Sequence, residues 1–337
     1  MITIKKNISI LPHNTFDIDV QTDYFVEYSS IEDLITFLNS DIAKNNHLLP
    51  IGSGSNLLFL SDFKGAILHS TIKTLDIVNE NDEFVYLKVG SGVVWDDFAA
   101  YCVSKNWSGA ENLSHIPGTV GASAVQNIGA YGVEAKDIIH EVETVEIATF
   151  EQKTFSMNEC RYAYRDSIFK KEHKGKYIVT AVIFRLSKKP VFQLNYQQLE
   201  AETAKRGAIN LQNIRQTIID IRSKKLPDPT ITGNAGSFFM NPVVSTEHFM
   251  SIQKDYPQMP YYNVSEKETK IPAAWLIDQC GWKGKQIGNV GVHQQQALVL
   301  INLGGASGKE VADFAEKIQT SVKNKFDIDL QLEVNFI

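Results

Sequence analysis

Two glycine-bearing segments carry the first chemical signals. Pro50-Ile51-Gly52-Ser53-Gly54-Ser55-Asn56 follows an apolar run, His47–Ile51, as a dinucleotide-binding turn follows its strand. The third glycine of G-x-G-x-x-G is missing, because Leu57 stands there, and LLFLSDFKGAIL beyond it reads as strand rather than helix. A phosphate here would be held by the N–H groups of the turn itself, without a helix dipole. The other reading is a tight hairpin turn. The second segment, Asn112–Val133, contains no Asp, Glu, Lys or Arg, yet carries Gly118, Gly121, Gly129 and Gly132 among Ser, Thr, Gln and Asn. Such uncharged polar backbone suits close approach to a large hydrogen-bonding ligand, or a long structural crossing between sheets. A third signal is Glu333. In Ile328–Phe336 the apolar positions 328, 330, 332, 334 and 336 alternate with Asp329, Gln331, Glu333 and Asn335, which puts Glu333 on the face turned to solvent or to a cleft.

The elements that must position these residues are legible from periodicity. Ser29-Ser30-Ile31-Glu32 reads as a capping box before the apolar stripe Ile31, Leu34, Ile35, Leu38 and Ile42. Trp95, Phe98, Ala99, Cys102 and Val103 form a second stripe, and Leu211, Ile214, Ile218 and Ile221 a third, on a helix that Pro227 must stop. Ser307-Gly308-Lys309-Glu310 caps a fourth, with Val311, Phe314, Ala315, Ile318 and Val322 inward. Strands are expected at His47–Ile51, Phe84–Val89, Tyr177–Leu186, Ala297–Ile301 and Ile328–Phe336. Helices and strands alternate without a βαβ rhythm, so the class is α+β. The prolines of Lys225-Leu226-Pro227-Asp228-Pro229 mark a boundary before a C-terminal domain.

Composition narrows the function. At 337 residues the chain is long enough for two or three domains, and 43% apolar with 21% charged residues is ordinary globular usage. A net charge of −6 argues against nucleic acid as a partner. Cys102, Cys160 and Cys280 are scattered and form no C-x-x-C, so neither disulfides nor a metal site is expected. No apolar run is long enough for a membrane helix, and MITIKKNISILPHNTF lacks the core of a secretory leader. A soluble, cytoplasmic protein is expected.

Read together and in order, the motifs resemble one family, the UDP-N-acetylenolpyruvoylglucosamine reductases. The likeness runs through Gly52-Ser53-Gly54-Ser55-Asn56, Ile116-Pro117-Gly118, Gln126-Asn127-Ile128-Gly129-Ala130-Tyr131-Gly132 and Tyr164-Arg165-Asp166-Ser167-Ile168-Phe169-Lys170. It continues in Lys225-Leu226-Pro227-Asp228-Pro229, Gly233-Asn234-Ala235-Gly236-Ser237-Phe238-Phe239, Ala274-Trp275-Leu276-Ile277-Asp278-Gln279, His293-Gln294-Gln295-Gln296-Ala297-Leu298-Val299 and Leu332-Glu333-Val334. The resemblance implies an FAD-binding fold of the vanillyl-alcohol oxidase/PCMH type, with subdomains at 1–72 and 73–224, and an α+β substrate-binding domain at 225–337. It implies FAD as cofactor, NADPH as co-substrate, and a UDP-sugar carrying an enolpyruvyl ether as substrate, in a monomer. A flavin oxidase of the same domain family, or a UDP-sugar-binding module without activity, are the alternatives.

The same resemblance assigns roles. Arg165 becomes the cation that grips the substrate carboxylate, although an unplaced arginine is more often a surface ion pair. Ser237 becomes the proton donor, where an unplaced serine would bond its own turn. Glu333 becomes the third catalytic residue, polarising Arg165 or relaying a proton. Implied flavin contacts are Gly52, Ser53, Gly54, Ser55, Asn56, Pro117, Gly118, Gly121, Ile128, Gly129 and Arg222. Implied substrate contacts are Tyr131, Tyr164, Tyr196, Lys225, Asn241, Tyr262, Lys270 and Gln296, with Tyr196 and Tyr262 as the aromatic cover of the larger, type I subclass. Two positions depart from the pattern: Met240, where some relatives are expected to carry lysine, and Asn335, where close relatives are expected to carry arginine.

Overall fold

The computed structural model describes residues 1–196 and 198–337, and its chain contacts define two units. The first comprises Met1–Ile8, Thr22–Ser53 and Lys64–Arg222; the second comprises Ser9–Gln21, Gly54–Phe63 and Ser223–Ile337.

The first unit holds two sheets. Thr3–Ser9, Gln21–Tyr28, Phe63–Ser70 and Leu48–Ile51 are neighbours in that order, and Leu48–Ile51 runs parallel to Phe63–Ser70 with Ile51 opposite His69. Helices α1 (Ile31–Leu38) and α2 (Asp41–Asn45) accompany this sheet, with Leu34, Phe37 and Leu38 in one cluster with Val26, Ala66 and Leu68. The cap of α1 lies one residue later than the sequence spacing suggests. Ser30 accepts from Asp33 N–H, and the Asp33 carboxylate takes the N–H and hydroxyl of Ser29. A carboxylate at the third helical position reaches back to the residue before the cap just as well as glutamate one residue earlier would.

The second sheet is antiparallel, in the order Gln152–Ser156, Ile139–Glu146, Tyr177–Ser187, Phe84–Gly90 and Leu75–Glu80. Its middle strand is buried along nearly its whole length, which explains why YIVTAVIF is apolar apart from Thr180 instead of alternating. Helix α3 (Trp95–Ser104) packs there, with Phe98 stacked on Phe184 at 4.4 Å between ring centroids. The uncharged segment expected as one loop is interrupted by α4 (Val120–Gln126), whose Val120 and Ala124 enter the same cluster. Small residues made it look like loop, yet Ala122, Ala124 and Val125 are sufficient for two turns against a sheet. Helix α5 (Leu199–Ala204) precedes α6 (Leu211–Lys225), which ends before Pro227 as expected.

In the second unit, Val243–Ser245, Glu268–Lys270 and Tyr262–Asn263 form one small sheet, and Gln286–Ile287, Val290–Val292 and Leu300–Asn302 another. Helices α7 (Thr246–Asp255), α8 (Ala273–Gln279) and α9 (Gly308–Phe326) accompany them. The Ser307/Glu310 capping box opens α9 as the sequence predicts, and Val311, Phe314, Ala315, Ile318 and Val322 are its buried stripe. Two expected strands are shorter than their alternation implies. Ala297–Ile301 is regular only from Leu300. Of Ile328–Phe336 only Asn335–Phe336 forms a ladder, parallel to Leu57–Leu58, with one isolated bridge, from Leu332 to Phe239, before it. Ile328 and Leu330 are buried in alternation, but a bend at 333–334 buries Glu333 and Val334 together, so Glu333 is not on a solvated face. No helix among the described residues is long and apolar enough to cross a membrane.

Candidate active site

In the first unit the two glycine segments meet. A side chain at Gly52 would stand 2.6 Å from Thr119 Oγ1 and 3.1 Å from Ala122 Cβ, so only glycine lets the turn lie on the start of α4. A side chain at Gly121 would stand 2.7 Å from Ser91 Cβ. Between Leu113 and α4 the chain passes through His115 (φ 60) and Gly118 (φ 131), which gives Ile116-Pro117-Gly118 its irregular course. Its ends are fixed: His115 N–H donates to Asp96 Oδ1 at 2.5 Å, and Trp95 N–H to the Gly118 carbonyl at 3.0 Å. Asp96 also receives both Nη1 and Nη2 of Arg215, at 2.6 and 2.8 Å, which ties α6 to α3. Burial works against ionisation of Asp96, but the Arg215 fork and the His115 N–H outweigh it and hold the carboxyl below its usual range.

Past α4 the chain builds a cationic cluster. Asn127, left-handed at φ 48, caps α4 and donates through its amide to the Ala163 carbonyl (2.9 Å) and to Glu134 Oε2 (2.8 Å). Ser167 Oγ donates to the Val125 carbonyl. The turn at 163–166 is thus pinned to the end of α4, and in it Arg165 takes φ 57, a costly conformation for a branched-free but bulky side chain. Arg165 Nη2 donates to the Gly129 carbonyl at 3.1 Å, and its Cζ lies 5.6 Å from the ring of Tyr164. Tyr131, also left-handed at φ 48, meets Tyr196 edge to face at 5.7 Å. Arg222 Nε donates to the His115 carbonyl. Burial pulls the Arg222 guanidinium below its ordinary value; Tyr131 and Asp96 oppose the fall and the Arg165 charge adds to it. Burial also raises the Tyr131 phenol, and Arg222 opposes that rise. Two guanidiniums that disfavour one another electrostatically, beside uncharged backbone rich in N–H groups, fit an anionic or electron-rich ligand such as FAD or a carboxylate.

In the second unit the segment around Ser237 is built by asparagine. Asn234 donates to the Pro227 and Thr232 carbonyls and accepts from Gly236 N–H, while its backbone exchanges bonds with Thr15. A side chain at Gly233 would strike the Phe16 carbonyl at 2.6 Å. Ser237, half-buried, then bridges Val299, Phe239 bridges Leu332, and Glu333 N–H donates to the Phe238 carbonyl at 2.9 Å. Ser237 and Glu333 therefore lie on paired segments. Asn56 completes the arrangement: its amide donates to the Glu333 carbonyl, and its own carbonyl accepts from both the N–H and the side-chain amide of Asn335. The asparagine at 335 is a tether for the Glu333 segment. Gly54 (φ 64) is held against the His13 carbonyl, 2.1 Å from where a side chain would begin.

The remaining expected contacts divide. Lys270 lies over the Tyr262 ring at 5.8 Å, on paired strands of one small sheet. Asn241 instead accepts from Ala273 N–H and caps α8, and Gln296 accepts from Leu298 N–H within its own turn. Lys225 is exposed at the end of α6. Asn112, Asn127, Asn234, Asp96 and Arg215 were not singled out by sequence reasoning. The available signal was asparagine recurring beside glycine and proline, where its side chain replaces missing backbone partners.

A family model for an FAD binding domain matches residues 22–151, and one for the UDP-N-acetylenolpyruvoylglucosamine reductase C-terminal domain matches 228–337. The UDP-N-acetylenolpyruvoylglucosamine reductase of Bacteroides fragilis is 51% identical over 334 residues, covering 99% of this chain and 100% of that protein. The chain belongs to the UDP-N-acetylenolpyruvoylglucosamine reductase family. The Porphyromonas gingivalis reductase is 46% identical over 335 residues, with 99% of each chain covered. The crystal structure of the reductase (MurB) from Thermus caldophilus has the same fold, with a TM-score of 0.71 at 19% identity, covering 100% of this chain and 99% of that one. As a member of this family the protein is a flavoprotein oxidoreductase of peptidoglycan precursor synthesis, with an FAD-binding domain of the PCMH type joined to the family's C-terminal domain.

Proposed function

We propose that this reductase is of the type I subclass and takes electrons from NADPH to reduce the enolpyruvyl ether of UDP-N-acetylenolpyruvoylglucosamine, yielding UDP-N-acetylmuramate. The observation that carries the reading is the cluster of Arg165, Arg222 and Tyr131, in which two residues accept left-handed backbone to hold cationic and phenolic groups near one another. Strain of this kind costs about 1–3 kcal/mol per residue and persists where a site needs it.

FAD, when bound, supplies the hydride that ends on the methylene carbon. Gly52, Ser53, Gly54, Ser55, Asn56, Pro117, Gly118, Gly121, Ile128, Gly129 and Arg222 would hold it, mainly through backbone N–H groups and one guanidinium. Arg165 grips the substrate carboxylate, onto which negative charge spreads as the methylene carbon gains hydride. Ser237 delivers a proton to the adjacent carbon, and the phenylalanines that follow it exclude water so that a weak acid suffices. Glu333 polarises Arg165 or relays a proton. Tyr131, Tyr164, Tyr196, Lys225, Asn241, Tyr262, Lys270 and Gln296 are assigned to the UDP-sugar. Asn241 and Gln296 would do so with the donors left over from their structural bonds. The same reading takes 1–72 and 73–224 as the FAD subdomains and 225–337 as the substrate domain, in a cytoplasmic monomer.

The test is anaerobic. Purified protein should show the flavin absorption band, NADPH should bleach it, and the enolpyruvyl substrate should restore it. A flavin that NADPH leaves oxidised, or one restored by oxygen but not by substrate, would overturn the reading.

A further inference from the structure

Asn112 lies in the short 3-10 turn Glu111–Leu113 with 1% of its surface exposed. Its amide nitrogen donates to two backbone carbonyls, that of Tyr131 at 3.0 Å and that of Gln193 at 2.7 Å. A carboxamide has two N–H hydrogens, so both bonds form at once. The opposite flip would set an oxygen against both carbonyls, which dictates the orientation. The carboxamide oxygen is enclosed, with no donor to it among the described residues.

The two acceptors belong to segments far apart in sequence. Tyr131 sits in the turn between the paired residues Gly129–Ala130 and Val133–Glu134. Gln193 leads into Tyr196, beside a small apolar cluster of Leu194, Leu199, Ile214 and Ile218 against which Tyr131 itself packs. On the far side the segments touch through the tyrosine rings, edge to face at 77°. Gly132 takes φ 80, the left-handed backbone that carries the turn beside Tyr196. One buried amide thus grips both segments while their rings meet. If either segment moves alone, it leaves one N–H of the buried Asn112 carboxamide without a partner.

We propose that Asn112 is a positioning residue that couples the Tyr131 turn to the Tyr196 segment, so that the two tyrosines engage and leave the UDP-sugar as one body. The coupling rests on the bonds above; its effect on substrate rests on the assignment of Tyr131 and Tyr196 to the substrate.

Asn112→Leu removes both donors and keeps the side chain's branching. In the FAD-loaded enzyme, hydrogen exchange by mass spectrometry should quicken about tenfold or more at both 129–134 and 189–196, and stay unchanged in the strand Gln152–Ser156. KM for UDP-N-acetylenolpyruvoylglucosamine should rise about tenfold with kcat within about twofold. Unchanged exchange in either segment overturns the proposal. Faster exchange in both with an unchanged KM supports the coupling and removes the substrate assignment of the tyrosines. Should the leucine variant not fold, Tyr196→Ala decides: the Asn112 bonds survive it, so protection at 129–134 should hold within about threefold. Its collapse would assign the coupling to the rings and overturn the proposal.

Discussion

The stretch that presents Arg165 and the stretch that presents Ser237 and Glu333 are built by opposite means. In the first, His115, Asn127, Tyr131 and Arg165 all hold left-handed backbone without being glycine. In the second, between Gly233 and Phe239, only Gly236 does, at φ 69, and the segment is otherwise fastened by bridges to Val299 and Leu332. The difference follows from how each stretch is anchored. In the first, left-handed residues turn the chain sharply, and the bonds of Asn127 and Ser167 pin the 163–166 turn to α4. In the second, paired segments with asparagine ties hold the chain without such turns.

That contrast can be broken or sharpened in four ways. The largest effect belongs to Ser237→Ala, since a hydroxyl on a paired, unstrained segment can be removed without disturbing its neighbours. Turnover should fall by roughly three orders of magnitude while stopped-flow reduction of the flavin by NADPH stays within about twofold; equal loss in both half-reactions would make Ser237 structural. Arg165→Lys keeps the charge but not the planar fork that reaches the Gly129 carbonyl. kcat/KM should drop about a hundredfold, and a drop of less than about threefold would show that charge alone matters at this strained position.

Asn234→Ala tests the asparagine-tied side. It strands the Gly236 N–H and the Pro227 and Thr232 carbonyls, so thermal or urea unfolding should show a loss of about 2–4 kcal/mol. A loss below about 0.5 kcal/mol would mean that the bridges alone suffice. The smallest effect is in the acid limb of stability. Because Asp96 is held below its unfolded value, its contribution is present above the ordinary carboxylate range, near pH ~4, and is lost as pH falls through the lower folded value. Asp96→Asn should therefore lower Tm at neutral pH and make the decline between pH ~5 and ~2 shallower. A decline as steep as in the parent protein would remove Asp96 from the account.

Much of the scaffold was legible. The Ser307/Glu310 cap, the stripe of α9 and the stop of α6 before Pro227 are local, because a helix is written in neighbours three and four residues away. The two glycine segments stood out because charge was absent where surface loops carry it. Three features escaped. The cap of α1 lies at Ser30, where Asp33 competes with Glu32 for the same task. Helix α4 hid among small residues, and its Val120 and Ala124 count only once a sheet lies beneath them. Strand parity turned Glu333 to solvent or to a cleft, but the bend at 333–334 cancels parity there and buries it beside Val334. Asn112 was invisible for a different reason: the carbonyls it grips, those of Tyr131 and Gln193, lie elsewhere in the chain.

What residue order determined by itself was periodicity, capping and the supply of chemical groups: guanidiniums, one hydroxyl, one carboxylate and a run of backbone without charge. These depend on interactions within a turn or two of chain. Only the tertiary structure decided which carbonyls the buried amides would grip, which residues would accept left-handed backbone, and that Glu333 would be covered. The physical reason is that a buried polar group must find a partner, and the partner is chosen by whichever distant segment packing brings within three ångströms or so.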